Sequence, residues 1–198
     1  ADLFEKCLHH YLIKDAIRDE NVLGFSVEYI RTIKPKGTIN GTEKVHAIDT
    51  EEVLHHEDRL NLVADHILAN HNRRSKNKGY CALFAVDSIP TLIRYYDIFK
   101  SKNHNLRIAG IFSYGQNEES DGTEEHSREA LDRMIEDYNG YFETDYSTDS
   151  WDNYFSDVSK RVKKAQIDIL IVVKMFLTGF DSKPLNTLYV DKNMEYHD

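Results

Sequence analysis

Cysteine and long apolar runs are scarce in this chain. Its 198 residues include two cysteines, Cys7 and Cys81, which stand far apart and outside any zinc-type spacing. We therefore expect reduced thiols in the core of a cytoplasmic protein and no disulfide framework. No run reaches about 18 apolar residues, so the sequence predicts no membrane span and no membrane partner.

Several nucleotide and catalytic motifs are missing as well. The chain has no G-x-x-x-x-G-K-[ST] loop for a triphosphate, no G-x-G-x-x-G loop for a dinucleotide and no G-x-S-x-G nucleophile elbow. Its ten histidines include no H-E-x-x-H pair, which predicts surface or packing residues rather than ligands. The sequence thus predicts no metal site and no complete catalytic centre.

Acidic residues outnumber basic ones. The net charge of −9 argues against a dedicated nucleic-acid module. Basic residues nevertheless cluster in residues 73–78 and 160–164, and acidic residues cluster in 117–129. We interpret these clusters as helix ends and solvated faces, because cations near a helix C-terminus complement the helix dipole.

What the chain does contain is an alternation of helical and strand patterns. From residue 80 onward, buried apolar strands alternate with amphipathic helices. This order needs crossover connections, so it predicts an α/β fold with a parallel sheet flanked by helices on both faces. The predicted strands are residues 25–30, 81–86, 106–112, 169–173 and 187–190. The predicted helices are residues 3–19, a long helix from about Asp49, a helix capped by Ser88, a helix from Thr123 to Asn139-Gly140, and residues 151–164.

The last strand, loop and strand form the most informative segment. A buried strand over Ile169–Val173 leads into a loop that contains Thr178, Gly179 and Asp181. A glycine lets backbone N–H groups approach a phosphate, and an acid two residues later can accept a ribose hydroxyl. Ligands of open α/β sheets bind beyond the carboxyl ends of the strands, so this loop is a candidate site. A plain tight turn is the alternative.

A metal-dependent nuclease is a further alternative for the same segment. Asp168, Asp181 and Lys183 match the D…D-x-K spacing of such enzymes. Two carboxylates and a lysine on adjoining strands would hold Mg²⁺ and activate a water molecule. Asp181 is expected in a loop rather than a strand, which weighs against this alternative.

The same block resembles a known motif. DILIVVKMFLTGFD (residues 168–181), followed by LNTLYVDK (185–192), closely resembles motif V of the type I restriction enzyme R (motor) subunit. ALFAVDS (82–88) resembles the motif IV strand and turn of that family. HYLIKDAI (10–17), YSTDS (146–150) and SKRV (159–162) also have counterparts there, so the resemblance extends over essentially the whole chain.

The resemblance implies the second RecA-like lobe of a superfamily 2 helicase-like DNA translocase, a P-loop NTPase superfamily lobe without its own P-loop. Residues 1–22 would be the helix and linker leading into the lobe, and residues 23–198 the lobe itself. In this family, ATP and Mg²⁺ bind between two such lobes, the first of which supplies the P-loop. The implied partners are double-stranded DNA, the first lobe and the nuclease domain of the same chain, and separate methylation and specificity subunits. The implied location is the cytoplasm of a bacterium or archaeon.

Site residues carry over by position in the motifs. Gly179 and Asp181 match the motif V pair near the nucleotide, and Lys174 and Thr178 lie where relatives contact the DNA backbone. Asp87-Ser88, after the motif IV strand, would face DNA or simply cap a helix. Many helicases have a threonine where this chain has Lys174, which makes a phosphate contact by a point charge the expectation there.

Motif VI, which carries the arginine finger of the family, is expected after residue 197. We therefore expect a fragment that hydrolyses no ATP and binds no cofactor alone, since the finger stabilises the charge of the transition state. A non-catalytic docking module is the alternative function. In that case the acidic 117–129 segment and the first helices would contact other domains of the same subunit.

Overall fold

A parallel sheet organises the larger part of the chain. The computed structural model describes residues 10–32, 50–113 and 123–192, and the chain divides into two units, Ala1–Lys36 and Gly37–Asp198. Within the described ranges the sheet has four strands in the order β2-β3-β1-β4, and each neighbouring pair is parallel. The strands are β1 (Cys81–Val86), β2 (Ile108–Ile111), β3 (Ile169–Val172) and β4 (Leu185–Asp191).

Helices precede and connect the strands, as the predicted alternation requires. α1 (Ile13–Arg18) belongs to the first unit. The second unit contains α2 (Thr50–Leu54), α3 (Glu57–Arg74), α4 (Ile89–Ser101), α5 (Thr123–Phe142) and α6 (Trp151–Val162). Among the described residues, no helix has the length and apolarity that crossing a membrane requires.

One face of the sheet packs against α4 and α5. The ring of Phe84 in β1 lies 4.7 Å from that of Tyr95 and 6.2 Å from that of Phe99, both in α4. On β2, a Cβ added at Gly110 would lie only 2.8 Å from Met134 Sδ of α5. A larger residue here would require Met134 to move, so glycine lets α5 approach the strand closely.

The opposite face packs against α6. Cys81 and Phe84 are three residues apart in β1, so their side chains lie on opposite faces of the sheet. The thiol of Cys81 lies 3.6 Å from the carbonyl oxygen of Val162 at the end of α6. Burial raises the pKa of the Cys81 thiol to about 11, so the thiol stays protonated and inert in the core, as predicted. Helices on both faces of a parallel sheet confirm the predicted α/β class, and the architecture is consistent with a RecA-like lobe.

Side chains of α6 also close the outer edge of β2. The Tyr154 hydroxyl donates to the carbonyl oxygen of Gly110 at 2.9 Å, and Trp151 Nε1 donates to that of Phe112 at 3.2 Å. An edge strand exposes backbone groups that would otherwise remain unpaired. These two aromatic residues therefore fix the start of α6 against the sheet.

The predicted long helix from Asp49 is wrong in one respect, because it is broken into α2 and α3. Asp49 itself lies outside the described residues. His56 caps α3 by accepting from the Asp58 N–H at 3.3 Å, while Arg59 Nη1 donates to the Leu54 carbonyl at the end of α2 at 2.8 Å. Tertiary partners of His55 and Arg59, described below, hold the break open.

The predicted stop of α5 at Asn139-Gly140 is also wrong, since the helix continues to Phe142. The Asn139 side chain does not end the helix. Instead it donates to the Tyr146 carbonyl at 2.8 Å and accepts from the Tyr146 N–H at 3.0 Å, which fixes the following loop. Strand ends differ by one or two residues: β2 begins at Ile108, β3 ends at Val172 and β4 extends over Leu185–Asp191.

The first unit differs most from its predicted structure. The predicted helix 3–19 is observed only over Ile13–Arg18, with residues 1–9 outside the described ranges. It begins late because the Asp15 carboxylate accepts from the Leu12 N–H at 3.0 Å. The predicted strand 25–30 does not form: alternation describes only side chains, and these residues form no backbone ladder with any described strand. A domain boundary after residue 22 stays a prediction.

Candidate functional site

The candidate site is the β3–β4 loop, which we define as residues 173–184. It begins at the carboxyl end of β3, beside the end of β1, because Val172 pairs with Ala85. The loop ends at the amino end of the strands, because Leu185 pairs with Cys81, the first residue of β1. Only the first part of the loop thus lies beyond the carboxyl ends of the strands. The rest runs back across the sheet to the amino end of β4.

A series of aromatic rings joins this loop to α6. The ring of Trp151 is stacked on that of Phe155 at 5.3 Å, and Phe155 lies 5.1 Å from Phe176 in the loop. Phe176 in turn meets Phe180 edge to face at 4.6 Å. Lys163 Nζ, just past the end of α6, lies 5.3 Å from the centroid of the Phe180 ring. The rings hold the loop against the helix.

Two residues of the loop have left-handed backbone conformations. Phe176 has a φ of 64° and Gly179 a φ of 70°. A Cβ added at Gly179 would meet no atom within 4 Å, so glycine serves the backbone conformation and leaves open space around it. A bulky residue such as Phe176 rarely adopts this conformation, which costs about 1–3 kcal/mol and persists only when its surroundings hold it.

Three polar side chains of the loop that were predicted as site residues face solvent. Lys174, Thr178 and Asp181 are exposed, as is Gly179. None of the three side chains forms a hydrogen bond or ion pair with another residue in the described part of the chain. Their charges and hydroxyl group are thus available to a ligand, and this loop brings together four of the six predicted site residues.

The other two predicted residues, Asp87 and Ser88, lie in a turn with internal partners. The Ser88 hydroxyl accepts from the Thr91 N–H at 3.4 Å and caps α4. His55 Nε2 lies 2.6 Å from Asp87 Oδ2, and the Ser88 hydroxyl donates to Asp87 Oδ1 at 3.1 Å. Burial raises the pKa of Asp87, but hydrogen bonds from Thr91, His55 and Ser88 outweigh it, so the pKa lies below its usual value.

The carboxyl end of β4 holds a partly buried ion pair that the sequence patterns did not reveal. Arg59 Nη1 donates to Asp191 Oδ2 at 3.0 Å, and Arg59 Nη2 makes a second contact with the same carboxylate. The Tyr95 hydroxyl also donates to Asp191. Burial lowers the pKa of Arg59, but the hydrogen bond and charge of Asp191 outweigh it and raise the pKa overall. Because the pair joins residues 132 positions apart, no local sequence signal could have found it.

The geometry contradicts the nuclease alternative. Asp168 is 1% exposed, and both of its carboxylate oxygens accept from the Arg107 side chain, at 3.1 and 3.0 Å. It is therefore buried and paired with an arginine, whereas Asp181 and Lys183 are exposed. Within the described ranges, no group of three or more His, Cys, Asp or Glu residues could hold a metal ion.

Three of the described histidines make contacts within the fold or lie in its core. His56 caps α3, His55 binds Asp87, and His71 is fully buried in α3, where burial lowers its pKa. The basic clusters lie at helix ends, since α3 ends at Arg74 and α6 at Val162. Of the acidic 117–129 segment, residues 117–122 lie outside the described residues and residues 123–129 form the start of α5.

The fold is a parallel α/β lobe whose candidate loop carries an exposed glycine and an aspartate without a partner among the described residues. Such lobes occur in many nucleotide-dependent proteins, and comparison with known proteins identifies the family. Residues 78–198 match the family described as type I restriction enzyme subunit R domain 3. The chain belongs to this family.

Curated relatives agree with that membership. The chain is 54% identical over 209 residues to the type I restriction enzyme SauCOLORF180P endonuclease subunit of Staphylococcus aureus (strain COL), a match that covers 100% of the chain and 22% of the relative. It is 54% identical over 210 residues to the type I restriction enzyme SsaAORF53P endonuclease subunit of Staphylococcus saprophyticus, covering 100% of the chain and 23% of the relative. The chain thus spans less than a quarter of the length of these relatives.

Proposed function

We propose that this chain is the second RecA-like lobe of the ATP-driven DNA translocase within a type I restriction enzyme R subunit. In this proposal the β3–β4 loop is one wall of the nucleotide and DNA site, and the β1–α4 turn supports it. The observation that carries the proposal is the set of exposed, unpaired polar groups on a loop whose backbone is already fixed. A preorganised loop binds a ligand without first losing conformational freedom.

The loop residues fit a phosphate-bearing ligand. The open space around Gly179 would let a backbone N–H approach a phosphate closely, and the Asp181 carboxylate would accept a ribose hydroxyl of ATP. Lys174 and Thr178 would contact DNA phosphates, the lysine as a point charge and the threonine as a hydrogen-bond donor. Mg²⁺ would be held by acids of the first lobe. ATP would supply the free energy for translocation.

The proposed partners follow from this role. They are double-stranded DNA, the first lobe and the nuclease domain of the same subunit, and separate methylation and specificity subunits. The similar staphylococcal proteins are named as endonuclease subunits, which supports a role in a restriction enzyme.

A docking role for residues 10–32 is a second candidate function. Leu23 is 91% exposed, Phe25 63% and Tyr29 93%, an unusual density of exposed large apolar side chains. Contiguous exposed apolar residues commonly mark a protein interface. These residues would dock another domain of the same subunit, and both functions can hold together.

Replacing Asp181 with alanine in the intact R subunit tests the main proposal. A charged hydrogen bond contributes about 1.5–3 kcal/mol, so DNA-stimulated ATP hydrolysis and translocation should fall about tenfold or more. The free energy of unfolding should change by less than about 0.5 kcal/mol, because the side chain is exposed. Steady-state ATPase and triplex-displacement assays measure the first effect, and urea unfolding measures the second.

Asp132→Ala is the matched control, since this carboxylate is equally exposed but lies on α5. It should leave both rates at the wild-type level. Wild-type rates for Asp181→Ala would contradict the assignment of the loop, and ATP hydrolysis by the 198-residue chain alone would contradict an incomplete site.

A further inference from the structure

The aromatic series between α6 and the β3–β4 loop has a role beyond filling space. Trp151, Phe155, Phe176 and Phe180 are all partly exposed, so they are not members of the buried core. Their ring contacts connect a helix that is fixed to the sheet with a loop whose Val173, Met175 and Leu177 also pack against the core.

The helix end of the series is rigidly held. Trp151 Nε1 donates to the Phe112 carbonyl at the end of β2, and the Trp151 and Phe155 rings are stacked with an interplanar angle of 19°. The Tyr154 hydroxyl fixes the same turn of α6 to Gly110. Phe155 therefore presents its ring to the loop from a position that the sheet edge determines.

The loop end of the series contains the strained residue. Phe176 adopts a φ of 64°, a conformation that phenylalanine avoids unless its side chain is held in place. Its ring is held on one side by Phe155 and on the other by Phe180. Thr178 and Gly179 lie between these two anchored rings and are exposed. The ring contacts thus anchor the chain on either side of both residues.

We propose that Trp151 and Phe155 are positioning residues that hold Phe176 in its left-handed conformation and so set the exposed Thr178-Gly179 segment for ligand contact. The ligand class, a phosphate-bearing nucleotide or DNA backbone, rests on the proposed function above. The conformational part, that the α6 rings hold the loop, stands independently of it.

Phe155→Leu tests the conformational part, because leucine keeps apolar bulk but removes the ring. In the 198-residue chain, native trypsin cleavage after the exposed Lys174 should become at least threefold faster, relative to cleavage after the exposed Lys164 in the same molecules. Phe155→Tyr keeps the ring and should restore the wild-type rate. Mass spectrometry of the fragments measures each cleavage.

Phe142→Leu is the matched control. Its half-buried ring packs on Tyr138 at 4.7 Å and under Arg161 at 4.2 Å, with no contact to the loop among the described rings. It should lower stability comparably and leave cleavage after Lys174 unchanged. Equal cleavage in Phe155→Leu and wild type would overturn the proposal, as would an equal increase in Phe142→Leu.

The ligand part is tested in the intact R subunit. Phe155→Leu should raise the DNA concentration that gives half-maximal ATPase at least threefold, Phe155→Tyr should restore it, and Phe142→Leu should not change it. Faster cleavage after Lys174 with an unchanged half-maximal DNA concentration would overturn the positioning role for ligand contact. If Asp181→Ala also has wild-type ATPase, the proposed function itself fails, while the cleavage result still decides whether the rings hold the loop.

Discussion

Two segments leave the carboxyl edge of the sheet side by side, and they are built in opposite ways. The β1–α4 turn follows Val86, and the β3–β4 loop follows Val172 on the neighbouring strand. In the turn, Asp87 and Ser88 bind His55, Thr91 and each other. In the loop, the polar side chains have no partner among the described residues. Contacts between aromatic rings hold the chain instead, and Phe176 and Gly179 have left-handed backbone conformations.

An ordered segment can leave its polar groups exposed when other contacts hold its backbone. A turn that uses its polar groups to fix itself has fewer left for a ligand. A loop that is held by aromatic packing and by one glycine stays ordered, although its hydroxyl and charged groups remain unpaired. This difference supports our proposal that the turn has a supporting role and the loop a contact role.

The backbone difference should give the largest effect on stability. Gly179→Ala forces a side chain into the left-handed region at φ 70°, which should lower the free energy of unfolding by about 1–2 kcal/mol. Gly140→Ala lies in α5 with no atom within 4 Å of the added Cβ, and it should raise the free energy of unfolding by about 0.5 kcal/mol. Urea unfolding followed by circular dichroism measures both changes. An unchanged or raised free energy of unfolding in Gly179→Ala would show that Gly179 is not needed for its backbone conformation.

Deleting one hydroxyl in each segment should separate their side-chain roles. Ser88→Ala removes the cap of α4 and should lower the free energy of unfolding by about 1 kcal/mol. Thr178→Ala removes an exposed hydroxyl without a described partner, so its effect should stay within about 0.5 kcal/mol. In DNA-binding assays of the intact subunit the order should reverse, with the larger loss for Thr178→Ala. Equal losses of stability in Ser88→Ala and Thr178→Ala would contradict the difference in side-chain roles between the turn and the loop.

The smallest effect should appear in the pH dependence of stability. The pKa of Asp87 is lowered in the folded chain because its hydrogen bonds outweigh burial, so its contribution is present above the usual carboxyl pKa of about 4 and is lost as pH falls through the folded value. The gap in unfolding free energy between wild type and Asp87→Asn should therefore shrink as pH falls from about 6 to about 3. It should not exceed about 1 kcal/mol, because water screens this exposed carboxylate.

Asp181→Asn is the control for the loss of one surface charge in that titration. Unfolding curves at half-unit pH intervals for all three chains supply the comparison. A gap for Asp87→Asn that grows toward acid pH would contradict the hydrogen-bonded state of Asp87.

Local patterns predicted those parts of the fold whose causes are local. The apolar run of β1 and the Ser88 cap of α4 were predicted correctly because burial and capping act within a few residues. The break at His55–His56 was missed because its partners, Asp87 and Asp191, lie far along the chain. Residues 25–30 show the same limit, since alternation without a partner strand does not make a strand.

The candidate site, too, could be predicted from sequence only in part. The Gly179 and Asp181 pattern and its resemblance to motif V pointed to the loop from sequence. The return of the loop across the sheet, its aromatic attachment to α6 and the exposure of its polar groups required the structure. The contact of Trp151 and Phe155 with the loop could not be predicted from sequence, because aromatic residues at helical spacing are ordinarily part of a core.

By itself, the sequence determined a parallel α/β lobe and membership of the type I restriction enzyme R family, because burial periodicity and motif identity are encoded in short segments. Only the tertiary structure decided which polar groups remain unpaired. Asp87 follows β1 directly and Asp181 lies in the loop after β3, yet one is bound by His55 and the other faces solvent. Whether a carboxylate has a partner depends on residues brought together by folding, and local sequence does not specify that contact.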